Sequence, residues 1–278
     1  MDAYKVLCIN NTSLSLECCD DIKKEVKSYE RAYESLCTNK TYGFRPFNVN
    51  FTNLGATGRQ GPTSIGQHYN GQDHVNMVRV LKGIQYWTVP YTGTYEITAV
   101  GAQGGYDKYG STYRGGGGSF VARNNNAPLL VAGGGGGLEN LNKRLDNSGG
   151  VNGQGAKQAD SGNSGGGGGG FYNNGRSSKQ FGGKYGNGGE GGFAFINGGA
   201  GGRAKTNNAV DGFGGGDGAY GYGGGAGGGG GYLGGASGDN VNGSCGGGGG
   251  SYNVGRNQVS KPGFNNKGDG YVVVTRKS

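Results

Sequence analysis

Side chains able to build an oily core are scarce in this sequence. Apolar residues fill 32% of its 278 positions, which is low for a globular protein. No apolar run approaches the length of a membrane-spanning segment. Proline occurs five times, and no strict Gly-X-Y period exists, so collagen is excluded. Only two histidines are present, His68 and His74, which leaves no Ser/His/Asp or Cys/His nucleophilic arrangement to argue from. Two ligands six residues apart in a polar loop, with Asp73 beside the second, make a weak metal pair, and surface hydrogen bonding is the expected role of both. The basic excess of +8 lies wholly in residues 47–278, where it is dispersed and forms no Lys/Arg block. A nucleic-acid patch or a membrane-binding patch is therefore not expected.

Nucleotide chemistry is also missing. Gly183-Lys184 is followed by Tyr185, where a phosphate loop requires Ser or Thr. No V-A-I-K, H-R-D or D-F-G set occurs. Arg-Gly-Gly, the repeat used by arginine–glycine RNA binders, appears once, at Arg114-Gly115-Gly116. The expectation is a chain that is no enzyme, holds no metal or cofactor and contacts no nucleic acid.

What is present is glycine, at 71 positions and in runs: Gly115–Gly118, Gly133–Gly137, Gly165–Gly170, Gly227–Gly231 and Gly246–Gly250. Such a chain is either disordered or uses glycine to bring backbones very close together. Position and punctuation favour the second. The runs lie between strand-forming flanks, and Phe171, Phe181, Phe193, Phe195, Phe213, Tyr220, Tyr222 and Tyr232 interrupt them. Flexible linkers lack such aromatics. Short rods joined by turns are expected, in a three-residue-per-turn conformation whose backbone groups point outward to neighbouring rods. A six-glycine run in that form spans about 19 Å.

The flanks read as β-structure. Ile84–Val89 and Tyr95–Val100 alternate with period two around the turn Pro90-Tyr91-Thr92-Gly93, giving a strand, a turn and a strand. Ser119–Arg123 and Pro128–Ala132 flank the turn-prone Asn124-Asn125-Asn126, and Gly270–Thr275 is the strongest strand signal. Gly43–Gly71 reads as loop. Upstream, Asp20 and Asp21 suit a helix N-terminus, and Ile22, Val26, Tyr29, Tyr33 and Leu36 give one apolar stripe over a helix at 20–36.

Five cysteines occur, four of them early. Cys8, Cys18, Cys19 and Cys37 suit disulfides among themselves in an oxidising compartment, with Cys245 outside that set. Asn10, Asn11, Asn39, Asn50 and Asn242 each open an N-x-Ser/Thr triplet, a glycosylation acceptor in a secreted chain. Both features point to an extracellular or cell-surface location. Met1 is followed by a mixed polar stretch with no signal peptide, so the chain is expected to be a fragment, or its start mis-assigned.

Several motifs resemble a known family. Phe51-Thr52-Asn53-Leu54-Gly55-Ala56-Thr57-Gly58-Arg59-Gln60-Gly61-Pro62-Thr63 is similar to the opening of the glycine-rich extracellular domain of the anaplastic lymphoma kinase and leukocyte tyrosine kinase receptors. Trp87–Pro90, Tyr95–Gly105 and Pro128–Gly137 continue the likeness, which runs from about residue 47 to residue 276. The resemblance implies a mainly β fold, a tumour-necrosis-factor-like antiparallel sandwich with an inserted bundle of polyglycine-II helices. It also implies a place in an ectodomain that binds a protein ligand. Two departures stand out. The family's usual strand pair between Gly105 and Gly115 has only nine residues here, and a kinase, if one exists, lies outside this chain.

Two segments are expected: 1–46, Cys-containing with one helix, and 47–278, glycine-rich, with strands within 47–132 and 268–276 and a rod insert at 133–255. The leading functional expectation is a non-catalytic extracellular recognition module for a protein ligand. The alternative is a secreted structural or adhesive protein with a matrix partner. Neither requires direct membrane contact in this chain, beyond anchoring through a segment outside it.

Overall fold

A computed structural model describes residues 47–105, 114–138, 164–184, 186–206, 210–215, 225–238, 245–263 and 268–278. The chain divides into two units, Met1–Arg45 and Pro46–Ser278. The helix expected at 20–36 and the four early cysteines lie outside the described residues, as do the segment between Gly105 and Arg114 and the aromatics Tyr220 and Tyr222.

The described part is mainly β, and all its strand pairs are antiparallel. In chain order the strands are β1 (Asn48–Phe51), β2 (Val78–Leu81), β3 (Ile84–Trp87), β4 (Tyr95–Val100), β5 (Ser119–Ala122), β6 (Pro128–Ala132), β7 (Tyr252–Asn253) and β8 (Tyr271–Arg276). They form sheets of order β1-β8-β4, β2-β3 and β5-β6-β7.

β8 has the β-branched run Val272-Val273-Val274-Thr275, which suits a pleated surface. It is paired on both sides, Val274 opposite Val49 of β1 and Ile97 of β4. Phe47, Val49 and Val274 form a buried cluster there, with Trp87, Tyr95 and Ile97 against it. A second cluster of Leu54, Tyr69 and Val78 shares Phe51 and Trp87 with the first. β5 and β6 form the expected hairpin, in which Asn126 takes the left-handed conformation (φ 59°) that asparagine tolerates.

Three expectations need correction. Ile84–Val89 and Tyr95–Val100 do hold strands, but the two do not pair. β3 turns back onto β2 through Lys82-Gly83, both left-handed (φ 50° and 79°), the two-residue turn whose twist matches a hairpin. β4 instead pairs with β8. Gly43–Gly71 is not all loop, because it contains β1. And the segment expected to be rod over 133–255 contains β7, which extends the β5-β6 sheet through Tyr252 opposite Val131.

The glycine segments exchange backbone hydrogen bonds with one another, and the exchange repeats every third residue. Gly228 and Gly231 donate to Gly166 and Gly169 in one neighbouring segment, at 3.5 and 3.1 Å. Between them, Gly229 donates to Gly247 and Gly230 to Gly116, at 2.8 and 2.9 Å. Gly134 and Gly137 likewise donate to Gly230 and Gly227, and Gly246 and Gly249 to Gly137 and Gly134. Gly168 and Phe171 donate to Gly235 and Tyr232. Each segment thus addresses one neighbour at i and i+3 and other neighbours in between.

Candidate functional site

Arg59 ties the sheet-bearing half to the glycine segments. Its carbonyl accepts from the Gly201 N–H at 2.8 Å, and its Nη1 lies 3.1 Å from Glu190 Oε2. Arg203 grips the same carboxylate in bidentate fashion, Nε to Oε2 at 2.6 Å and Nη2 to Oε1 at 3.1 Å. The Glu190 side chain is 10% exposed, against 21% for Arg59 and 46% for Arg203. The hydrogen bonds it donates to Glu190 hold the Arg203 guanidinium above its ordinary value, with burial opposing. Each guanidinium also covers a ring: Arg59 sits 5.8 Å from the Phe193 centroid and Arg203 5.2 Å from that of Phe181.

The loop after Arg59 is fitted by close backbone approach. A Cβ on Gly61 would stand 2.6 Å from the Gly83 carbonyl and 3.0 Å from Phe213 Cδ2. Phe213 also reaches the space beside Gly199, and Val210 the space beside Gly58. Gly55–Thr63 is therefore a clasp, in which Gly61 is required by the backbone against it, and Gly55 and Gly58 by their left-handed φ of 68° and 89°.

Beside the clasp is a surface groove of about 470 Å³, lined by Arg176, Ser177, Phe181, Lys184, Glu190 and Phe193 among others. It offers two cations, two rings and several backbone edges. Its carboxylate is already engaged by two guanidiniums, and the Ser177 hydroxyl accepts from the Gly191 N–H at 2.9 Å. Among the described residues neither imidazole nor thiol lines it. Its cations and rings suit binding.

A second feature lies where several glycine segments end. Phe171 stacks on Phe195 at 4.9 Å, Phe195 on Phe120 at 5.0 Å, and Tyr232 on Tyr252 at 4.2 Å. Tyr172 meets Tyr232 edge-on at 6.1 Å. Val131, Phe171 and Phe195 are the buried centre of this cluster. Burial, then the neighbouring phenols of Tyr252 and Tyr172, push the Tyr232 hydroxyl up from its ordinary value. Around the cluster Tyr172, Ile196, Leu233 and Val254 are exposed. Apolar side chains spaced along the sequence are thereby gathered at one end of the glycine segments.

The aromatics singled out in the sequence thus divide by role. Phe171, Phe195 and Tyr232 join the end cluster, Phe181 and Phe193 lie under the arginines, and Phe213 packs on the clasp. The histidine expectation fails in part. His74 is not a surface residue: it is fully buried between Phe51 and Tyr69. His68 is exposed, against Gly55. Among the described residues no group of three or more His, Cys, Asp or Glu converges as a metal site, and no helix is long and apolar enough to cross a membrane. Asn50 is exposed on β1. Cys245 is half-buried and bridges backbone to backbone with Leu138. Asn242, like Asn10, Asn11 and Asn39, lies outside the described residues.

Sequence reasoning missed the Arg59–Glu190–Arg203 cluster, whose members are too far apart along the chain to leave a local signal. It also missed the polar knot in which the Tyr69 hydroxyl donates to Gln85 Oε1 at 2.7 Å and accepts from the Thr52 N–H at 3.2 Å, while Gln85 Nε2 donates to the Thr52 carbonyl at 2.7 Å. No protein-family model matches the chain.

Proposed function

We propose that this chain is a non-catalytic extracellular recognition module, of the kind found in the glycine-rich ectodomains of receptor tyrosine kinases, and that it binds a protein ligand. In this reading the sheets form a tumour-necrosis-factor-like sandwich, and the glycine segments are polyglycine-II rods inserted into it. The return of each segment to the same neighbour every third residue supports the rods, because three residues per turn is the period of that helix. The observation that carries recognition is the end cluster. Cross-bonded glycine segments hold stacked rings in place, and Tyr172, Leu233 and Val254 are left exposed beside them. Rigid aromatics presented at low entropic cost suit protein contact.

Exposure of Asn50, in its Asn-Phe-Thr triplet, supports passage through a secretory pathway, with disulfides among Cys8, Cys18, Cys19 and Cys37. The test is the full chain made as a secreted protein in eukaryotic cells. Peptide mapping should find a glycan on Asn50 and linkage among the four early cysteines. Labelled chain should then bind cell surfaces saturably, and Leu233→Ala together with Val254→Ala should weaken that binding without lowering the melting temperature. Non-saturable self-assembly into fibres or gels would instead support a structural or adhesive protein. Saturable binding indifferent to both substitutions would remove the end cluster from the function.

A further inference from the structure

His74 is the polar side chain least well served by its surroundings. It precedes the single helical turn Val75–Met77 and is 0% exposed. Its ring lies 4.4 Å from that of Tyr69 and 5.2 Å from that of Phe51 on β1. Neither Nδ1 nor Nε2 has a hydrogen-bond partner. A neutral imidazole fits among rings and leaves one N–H unsatisfied. An imidazolium would bring two N–H donors and a charge to the same place, with no acceptor for either.

The groups that face it offer little compensation. Phe51 is apolar. The Tyr69 hydroxyl is pushed up by burial and bonded to Gln85, so it stays neutral and supplies no counter-charge. The one acting charge is the carboxylate of Asp73, next in the chain. It favours the charged ring, but burial outweighs it, and His74 is held below its ordinary value.

We propose that His74 is an acid-operated latch. Neutral, it completes the aromatic packing that keeps Ile65–Met77 against β1. When an imidazole nitrogen takes a proton from solvent, that packing breaks and the segment is released. The proposal does not depend on the recognition reading. Its direction follows from linkage. The unfolded chain takes the proton near pH 6.5, the folded chain only at lower pH, so in between the unfolded state binds more protons. Stability is full above about pH 6.5 and is lost as pH falls from there toward the folded value.

The experiment uses the full chain at about pH 7.5 and about pH 5.5, the range over which histidine switches operate. Ring-proton NMR follows the two histidines, while hydrogen exchange, corrected for the intrinsic rate, follows Ile65–Met77. His74 should titrate below the ordinary histidine value. Exchange of the segment should rise on acidification by up to about tenfold per pH unit, and the melting temperature should fall by up to about 3–6 °C per pH unit. His74→Phe should flatten both responses, whereas His68→Gln should leave them. A His74 signal titrating at or above the ordinary histidine value would overturn the proposal. So would an acid response that persists in His74→Phe. If that variant does not fold, the titration and exchange of the wild-type chain decide alone.

Discussion

Gly229→Ala adds one methyl group where three backbones meet. A Cβ there would fall inside contact distance of the Gly134 carbonyl oxygen, and would stand 2.8 Å from both the Gly134 carbon and the Gly135 oxygen. Ordinary contact begins at 3.4 Å, and the obstructing atoms are backbone, with no rotamer to turn aside. The segment at Gly134 must therefore retreat. Its bonds to Gly230 and from Gly249, both 2.8 Å, would lengthen together. Overpacking of this kind costs about 1–3 kcal/mol, and each weakened hydrogen bond about 1 kcal/mol more. A total of about 3–5 kcal/mol in a unit of this size lowers the melting temperature by about 6–20 °C. Gly229→Val should do worse.

The control is Gly212→Ala. That position has nothing within 4 Å and no left-handed φ, so alanine should be neutral or stabilising by up to about 1 kcal/mol through the unfolded chain. Gly168→Ala, whose Cβ would stand 2.6 Å from the Gly229 carbon, should follow Gly229→Ala. Calorimetry of the four single variants is the assay. If Gly229→Ala and Gly168→Ala melt with the wild type and Gly212→Ala, the close backbone packing is refuted.

Glu190→Ala should strand Arg59 and Arg203. Breaking a buried pair costs about 3–5 kcal/mol, but the half-exposed Arg203 regains water, so a loss of about 1–3 kcal/mol is expected, read as a lower urea midpoint. An unchanged midpoint would mean the clasp holds through Gly201 and Phe213 alone. Tyr69→Phe keeps the ring beside His74 and removes the hydroxyl that joins Gln85 to Thr52. It should cost about 1–2 kcal/mol by chemical denaturation and should leave the acid response intact, since that resides in His74.

How much was legible depended on whether the signal was local. The period-two alternation of Tyr95–Val100 marks a strand whatever it pairs with, but its partner β8 lies at the far end of the chain, and alternation carries no information about partners. Pro90–Gly93 looks like a hairpin turn by composition. The real hairpin uses Lys82-Gly83, and a left-handed lysine has no compositional signature. β1 was invisible because two of its four residues are asparagine, which strands disfavour. Its strand character comes from pairing with β8. His74 sits among Asn, Gln and Asp, with no apolar period around it, and its burial is produced by rings from other parts of the chain. The clasp was half legible: Gly55–Thr63 stood out, while Glu190 and Arg203 did not. The end cluster was visible as aromatic punctuation, though not as one place.

The three-residue repeat of backbone bonding has a consequence for how the alignment of the segments is chosen. Identical glycines carry no information about position. If one tract slid past its neighbours by three residues, each donor would meet an equivalent acceptor, and the backbone energy would barely change. Such a degenerate ladder needs markers that differ from the repeat. Phe171, Phe195, Tyr232 and Tyr252 are those markers, because a slide would drag a ring out of its stack into space that accepts only a hydrogen atom. The aromatics would then choose one alignment among many near-equals, and a chain that lost Phe171 would keep its bonded glycine segments but populate several lengths of overlap at once.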